Sequence, residues 1–167
     1  VISRKEELEI TDFKLVNIFQ KLLQSYNNAF VYVWFHPKIG LWFGATPETL
    51  LNIENNTFKT MSLAGTQVYE NNQNVVWKSK ELEEQQLVTN FIENQLKGIS
   101  SNLKISKKET IKAGNLLHLK TKVTGELNKS STLKTLIRAL HPTPAVCGLP
   151  REKAKKFILA NEPYNRS

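Results

Sequence analysis

This sequence of 167 residues lacks several features that are typical of secreted proteins, of membrane-spanning proteins and of small domains stabilised by a structural metal ion. The single cysteine, Cys147, has no second cysteine with which to form an internal disulfide, which agrees with a reducing compartment. No apolar run approaches the roughly 20 residues needed to cross a bilayer. The first residues, VISRKEELEI, have neither the charge order nor the apolar core of a signal peptide. We therefore expect a cytoplasmic protein with no membrane partner.

Acidic residues are outnumbered by basic ones, 15 to 23, so the formal net charge is +8 at pH 7. A positive charge of this size suits nucleic acid, an anionic membrane surface or a small anionic substrate. The densest basic stretches, 104–108 and 151–156, are interleaved with aliphatic or acidic residues rather than with aromatic ones. Without a zinc-finger spacing or an aromatic RNA-binding motif, a solvated basic face is favoured over nucleic-acid binding. A basic nucleic-acid-binding module remains the alternative from a different functional class.

The hydrophobic pattern predicts one domain of the α+β class, with a mostly antiparallel sheet and packed helices. Its composition, 40% hydrophobic and 23% charged, is that of an ordinary globular chain. Helical and alternating periodicities, with the turns between them, define the elements. In chain order these are helix 13–26, strands 29–35, 41–44, 50–53 and 57–62, helix 78–96, a short strand within 98–110, strand 116–127, and helices 131–140 and 151–159.

The stretch FGATPETLL, residues 43–51, contains a candidate acid, Glu48. Thr46 and Pro47 are typical of a helix N-cap and a first helical position, so Glu48 is predicted in a first helical turn. A carboxyl held beside apolar groups can have its pKa raised towards neutrality, which would let it donate a proton. The alternative is that Glu48 only complements the helix dipole.

A second acidic candidate, Glu84, is predicted on the inward stripe of helix 78–96. A carboxylate on a buried stripe must be paired, protonated or bound to a cation. An i, i+4 ion pair with Lys80 is the alternative, although lysine preceding glutamate is the weaker orientation. Glu81 and Glu83 are predicted to lie further round the helix, in solvent.

Two further places are candidates for ligand contact. Gly65 and Thr66, in the small-residue run LAGT, are predicted at a strand end where a ligand could approach the backbone, or where the chain simply turns. His118 alternates away from Leu117 and Leu119 on strand 116–127. It could serve a site or be merely structural.

The order of these motifs resembles that of the chorismate-binding family, which includes isochorismate, anthranilate, aminodeoxychorismate and salicylate synthases. The resemblance rests on FGATPETLL, LAGT, a KxxxE helix, LLHLKTKVTGEL, LHPTPAVCGLPREKA and NEPYNRS, in that order along the whole chain. It implies a partial α/β sandwich like that of anthranilate synthase component I. Residues 1–167 would be the central part of a chorismate-binding domain that is truncated at both ends.

The resemblance assigns roles to the candidate residues. Glu48 matches the general acid and Glu84 a magnesium ligand, so Mg²⁺ is the implied cofactor. The substrate chorismate would be contacted by residues that match the family's pocket, namely Gly65, Thr66, His118, Thr121 and Ala145.

The implied activity is isochorismate synthase, in which water adds at C2 of chorismate and the C4 hydroxyl leaves. Ala145 favours this branch, because salicylate synthases tend to carry threonine there; the alternative is that Ala145 only packs the loop. Salicylate, anthranilate and aminodeoxychorismate synthase are the alternatives within the family. The water-activating lysine would lie two positions before Val1, outside this chain, so the chain alone is expected to be inactive. The sequence does not choose between a menaquinone and a siderophore pathway, or indicate an oligomeric state.

Overall fold

The computed structural model describes residues 5–70 and 75–164, and these form four helices and seven strands. The sequence features at 1–4 and 165–167, which the family resemblance includes, lie outside the described residues. The described elements are α1 (Leu15–Ser25), β1 (Phe30–His36), β2 (Gly40–Thr46), β3 (Asn52–Glu54), β4 (Thr57–Val68), α2 (Ser79–Leu96), β5 (Ser100–Ile105), β6 (Glu109–Ala113), β7 (Leu116–Leu127), α3 (Leu133–Leu140) and α4 (Arg151–Asn161).

The main sheet is built around β4 and β7, two strands of 12 residues each that pair in antiparallel register. On the outer side of β4 lies β3, while β5 and β6 pair with successive parts of the other edge of β7. All five strand pairings in the described residues are antiparallel. The α+β fold class with a mostly antiparallel sheet is therefore confirmed.

The core lies between this sheet and helix α2. It consists of apolar side chains from α2, from α3 and from the two long strands: Phe58, Val88, Phe91, Ile92, Leu96, Val123, Leu136 and Leu140. Each such side chain stabilises the fold by roughly 1.5–3 kcal/mol when it is fully buried. Alternation along β7 turns Leu117, Leu119 and Val123 towards this core, as the sequence predicted.

Strands β1 and β2, predicted from the sequence at 29–35 and 41–44, pair with each other as a separate two-stranded sheet. Helix α1 packs against it, and the rings of Phe13 and Phe43 lie 5.9 Å apart. Large apolar side chains of this hairpin remain exposed, including Phe30 at 71% and Phe35 at 65%. In the part of the chain that is described, no helix is both long and apolar enough to cross a bilayer.

Three predicted boundaries need correction. The run LAGT does not end a strand, because β4 continues through it to Val68. The predicted polar connection at 98–110 contains two strands rather than one, since both can pair with the long free edge of β7. The N-cap of α3 is Thr132 and not Ser131, because the Thr132 side chain accepts the hydrogen bond from the Thr135 N–H.

A bulge at Gly65 lets β4 continue under helix α2. The register of β4 on β7 shifts between Ala64 and Thr66, and Gly65 has φ +74°. A Cβ at this position would lie 3.0 Å from the Glu81 carbonyl oxygen, which belongs to the first turn of α2. The small residue is thus needed because the helix backbone approaches the strand here.

Gly65→Ala is expected to lower the free energy of unfolding by about 1–3 kcal/mol, because alanine must adopt a left-handed φ and displace Glu81. Urea titration followed by circular dichroism would measure the change. Gly98→Ala is the matched control, since a Cβ there meets nothing within 4 Å. Equal effects of the two substitutions would contradict the role given to the bulge.

Candidate active site

A cleft of about 530 Å³ opens beside the bulge of β4. Five separate segments line it: the loop after β2, the bulge, the first turns of α2, the start of β7 and the loop after α3. The lining residues are Thr46, Pro47, Glu48, Leu63, Ala64, Gly65, Thr66, Lys80, Glu81, Glu84, His118 and Ala145. Six of the seven candidate residues named from the sequence therefore meet in one place.

Glu48 is the carboxyl of this cleft whose pKa is shifted. Its side chain is half-buried, and burial raises the pKa of its carboxyl above the ordinary value. Desolvation has this effect because it disfavours the charged form of a carboxyl group. Among the described residues, none makes an ion pair with Glu48 that would oppose the shift. A carboxyl in this state can hold a proton and deliver it to a leaving group.

Glu48 stands on a loop, so the predicted helix at Thr46 and Pro47 is wrong. Thr46 still pairs with Phe30 as the last residue of β2, and β3 begins only six residues later, at Asn52. That interval is too short for a helix between two strands. The Thr46 hydroxyl nevertheless accepts a hydrogen bond from the Glu48 N–H at 3.3 Å, which holds the loop as a tight turn. The helix-dipole alternative for Glu48 is thereby removed.

The first turns of α2 contribute two more carboxyl side chains to the cleft, Glu81 and Glu84. Glu84 is exposed to solvent in the cleft and does not face the core, so the predicted inward stripe was displaced by one residue. The residue that faces the core is Gln85, which is fully buried. Glu81, predicted to lie in solvent, is half-buried and lines the same cleft. The helix begins close against the bulge at Gly65, and its first turns line the cleft.

Lys80 is the one lysine among the lining residues. No ion pair of Lys80 occurs within the described ranges, so the predicted alternative of a Lys80–Glu84 pair is not formed there. The exposed ammonium group is therefore available to an anionic ligand. Its charge partly offsets the carboxylates of Glu81 and Glu84.

At the base of the cleft, a side-chain hydrogen bond connects β4 to β7. Thr66 and His118 are register partners across the two strands, and the Thr66 Oγ1 and His118 Nδ1 atoms are 3.1 Å apart. This hydrogen bond orients the imidazole at the edge of the cleft. Thr121, the seventh candidate, is not among the lining residues. It is 2% exposed, and its hydroxyl accepts a hydrogen bond from Gln85 at 2.7 Å.

Ala145 lines the cleft from the loop after α3, and hydrogen bonds between backbone groups of that loop hold it in shape. The N–H groups of Cys147 and Gly148 donate to the carbonyls of Thr143 and Pro144, at 2.9 and 2.8 Å. Arg151, just beyond the loop, donates from Nη1 to the Ala139 carbonyl at 2.9 Å. Ala145 therefore has a fixed position. Its small side chain leaves room in the cleft.

The acidic residues on α2 fit magnesium in kind but supply only part of a coordination shell. Carboxylate oxygens are the ligands that Mg²⁺ prefers, and the ion usually retains several waters. No group of three or more potential ligand residues comes together within residues 5–70 and 75–164. Glu84, with Glu81 beside it, could thus hold the ion only together with a substrate carboxylate or ligands from elsewhere.

Gln85 and Lys80 were not singled out from the sequence as site residues. The buried glutamine gave no signal, because a polar residue beside a candidate carboxylate is ordinarily assigned to solvent. Lys80 could have been found from its helical spacing, since residues i and i+4 share a helix face with Glu84.

The fold and the cleft define a class of protein: an α+β domain with an antiparallel sheet, beside which three carboxyl side chains and a lysine line one cleft. A family model described as chorismate binding enzyme matches residues 1–167. The chain therefore belongs to the chorismate-binding enzymes, as the order of its motifs indicated.

Curated relatives are isochorismate synthases. The isochorismate synthase EntC of Escherichia coli K12 is 32% identical over 136 residues, which make up 76% of this chain and 35% of that protein. The isochorismate synthase DhbC of Bacillus subtilis is 32% identical over 133 residues, 74% of this chain and 33% of that protein. This chain therefore spans about a third of the length of these relatives.

Solved structures share the fold. The menaquinone-specific isochorismate synthase MenF of Escherichia coli has a TM-score of 0.80 at 24% identity, over 89% of this chain and 36% of its own. Anthranilate synthase component I of Streptococcus pneumoniae has a TM-score of 0.78 at 21% identity, over 91% of this chain and 35% of its own. The fold is thus common to the branches of the family, and it confirms the predicted likeness to anthranilate synthase component I.

The raised pKa of Glu48 makes a prediction about stability. Because the folded chain holds this proton to higher pH than the unfolded chain does, the stability that Glu48 contributes is present below its unfolded pKa and is lost as the pH rises through its folded pKa. Relative to wild type, Glu48→Gln should therefore gain in free energy of unfolding as the pH rises from the ordinary pKa of glutamate through the raised pKa of Glu48.

Urea unfolding of both proteins across that pH range measures the difference. Glu83→Gln, which removes a carboxylate from an exposed position on α2, is the control for the loss of one negative charge from a basic chain. A difference between Glu48→Gln and wild type that shrinks as the pH rises would refute the assignment of burial as the cause.

Proposed function

We propose that this chain is the central part of a magnesium-dependent isochorismate synthase, with chorismate as its substrate. The observation that carries the proposal is the meeting of Glu48, with its raised pKa, and Glu84 in a single cleft beside Gly65. The curated relatives at 32% identity are isochorismate synthases, and this supports the choice of branch. We further propose a cytoplasmic enzyme that serves menaquinone or siderophore synthesis.

In this proposal Glu48 is the general acid. Departure of the C4 hydroxyl of chorismate as water requires a proton, and a carboxyl whose pKa is raised above its ordinary value retains that proton to higher pH than a solvated glutamate does. Burial on the loop after β2 gives Glu48 this property, and the hydrogen bond from its own N–H to Thr46 holds the loop in place.

The other lining residues bind and orient the substrate. Chorismate is a dicarboxylate, and the exposed Lys80 ammonium can pair with one of its carboxylates. Ala64 and Gly65 line the cleft where the substrate ring would lie, while Thr66 orients the His118 imidazole beside it. Thr121 lies below the cleft and does not contact the substrate. Its role is to accept the hydrogen bond from Gln85.

Magnesium would be held by Glu84, with Glu81 as its neighbour, and would supply a positive charge that binds the ring carboxylate of the substrate. The attacking water needs a base, and none of the cleft residues is assigned this role. We infer that the base is a lysine two positions before Val1, in a longer polypeptide, and that a further metal ligand lies beyond the end of this chain.

Loss of pyruvate is the step that separates salicylate from isochorismate synthesis. The small Ala145 side chain places no hydroxyl in the cleft, and this favours isochorismate as the product. Anthranilate synthase component I shares the fold, so the test must also establish the nucleophile.

Glu48→Gln in the complete polypeptide that the gene encodes is expected to lower kcat by about 10²–10⁴-fold, because glutamine cannot donate the proton to the leaving hydroxyl. The KM for chorismate should change much less. The assay uses chorismate, Mg²⁺ and no ammonia, with chromatographic separation of isochorismate, salicylate and pyruvate.

Glu83→Gln, exposed on the same helix as Glu84, should retain wild-type turnover. Salicylate with pyruvate as the wild-type products, or turnover only when an amine is added, would reject the isochorismate assignment. A Glu48→Gln enzyme with normal kcat would leave the branch intact and remove Glu48 as the acid.

The 167-residue chain by itself is expected to form no isochorismate. It spans about a third of its relatives, and its described part assembles no complete metal site. The same chromatographic assay at high protein concentration tests this, with the complete polypeptide as the positive control. Metal-dependent turnover by the chain alone would show that the chain contains both the water-activating base and a sufficient set of metal ligands.

A further inference from the structure

Beneath the cleft lies a buried ring of four polar side chains. Gln85, Ser62, Thr89 and Thr121 are each no more than 5% exposed, although they are surrounded by an apolar core. They come from α2, β4 and β7, three of the elements that line the cleft. A buried polar group costs free energy unless it is hydrogen-bonded, so the arrangement of their bonds is informative.

The bonds have one consistent direction. Gln85 Nε2 donates to Ser62 Oγ and to Thr121 Oγ1, each at 2.7 Å. Thr89 donates to the Gln85 backbone carbonyl at 3.0 Å, so the Ser62 hydroxyl must donate to Thr89 Oγ1, at 2.7 Å. The chain of bonds thus leaves the Gln85 side chain and returns to the Gln85 backbone.

The two acceptors of the Gln85 amide are opposite each other in the sheet. Ser62 on β4 and Thr121 on β7 are register partners. A single side chain of α2 therefore bridges both central strands at one level. A shift of the helix by one residue would rotate its side chains by about 100° and break both bonds at once.

The apolar contacts of α2 do not impose the same register. Burial of Val88, Phe91 and Ile92 is favourable in proportion to area and has no direction, so small slides of the helix would cost little. The bonds of Gln85 do impose one, because hydrogen bonds require short distances and aligned atoms.

We propose that Gln85 is a positioning residue for the cleft: its two bonds fix the register of α2 on β4 and β7, and thereby the place of Glu84 and Glu81. Glu84 directly precedes Gln85 in sequence, and Glu81 lies one turn earlier on the same helix face, where its carbonyl meets the bulge at Gly65. The metal-binding part of this inference rests on the proposed function.

One atom of the ring indicates that stability alone does not explain it. Gln85 Oε1 is buried and has no hydrogen-bond partner among the described residues. A core selected only for stability would avoid an unpaired buried oxygen, because an apolar side chain of the same size carries no such penalty. Fixing the register is a benefit that an apolar side chain would not provide.

The test compares Gln85→Met with Gln86→Met in the complete polypeptide. Both variants replace a glutamine of α2 by a side chain of similar length, but Gln86 is exposed, and its side-chain hydrogen bonds within the described ranges are with Asn90 and Lys108. Hydrogen exchange without metal or substrate is measured by mass spectrometry. Gln85→Met should speed exchange about tenfold in the first turns of α2 and at the bulge of β4, whereas Gln86→Met should not.

Kinetics supply the second measurement. Gln85→Met should lower kcat, or raise the Mg²⁺ concentration at half-maximal rate, by about 10- to 100-fold, as substitution of a group that orients a metal ligand does. If Gln85 acts through Glu84, the double variant with Glu84→Gln should match Glu84→Gln alone within about twofold. A general loss of folded structure would instead multiply the two effects.

Two results overturn the proposal: exchange in α2 that is the same in Gln85→Met and Gln86→Met, or kinetic losses that multiply in the double variant. If Gln85→Met does not fold, Thr121→Val, which removes only one acceptor, takes its place in both measurements. A wild-type polypeptide that forms no isochorismate would refute the proposed function, and the exchange measurement would still decide the role of Gln85.

Discussion

The packing of helix α2 against the bulge of β4 is the constraint on which the cleft depends. At Gly65 the strand leaves its regular register and the Glu81 carbonyl comes so close that no side chain fits between them. One turn further along, Gln85 ties the same helix to both central strands. Apolar burial supplies most of the free energy of this contact. The geometry of this contact is set by the absence of a side chain at Gly65 and by the hydrogen bonds of Gln85.

Helix and strand segments with strong periodicity could be predicted from the sequence because burial follows that periodicity. Strand β7 matches its predicted range, and α2 begins one residue later than expected. The order of the motifs likewise identified the family, and it selected Glu48 and Glu84 as candidate site residues. These predictions rest on local patterns and on the order of motifs, which a sequence displays directly.

The remainder could not be predicted, because it depends on contacts between distant segments. Thr46 and Pro47 have helix-start residues, yet pairing with Phe30 keeps Thr46 in a strand. Apolar spacing put Glu84 on the inward face, whereas the buried Ser62 and Thr121 hydroxyls make that face suitable for Gln85. A hydrophobic pattern cannot indicate a buried polar ring, since its members look like surface residues until their partners are known.

The charge balance of the cleft gives the raised pKa of Glu48 a second consequence. Under the proposed function a dianionic substrate enters a space lined by three glutamates and one lysine, all within a basic chain. The net charge of the chain attracts the substrate from a distance, but inside the cleft the nearest charges dominate. A proton on Glu48 removes one of the three negative charges, and a cation at Glu84 would offset another. Under the proposed function, burial of Glu48 therefore favours both substrate binding and proton donation, because both are helped by the neutral form of this carboxyl.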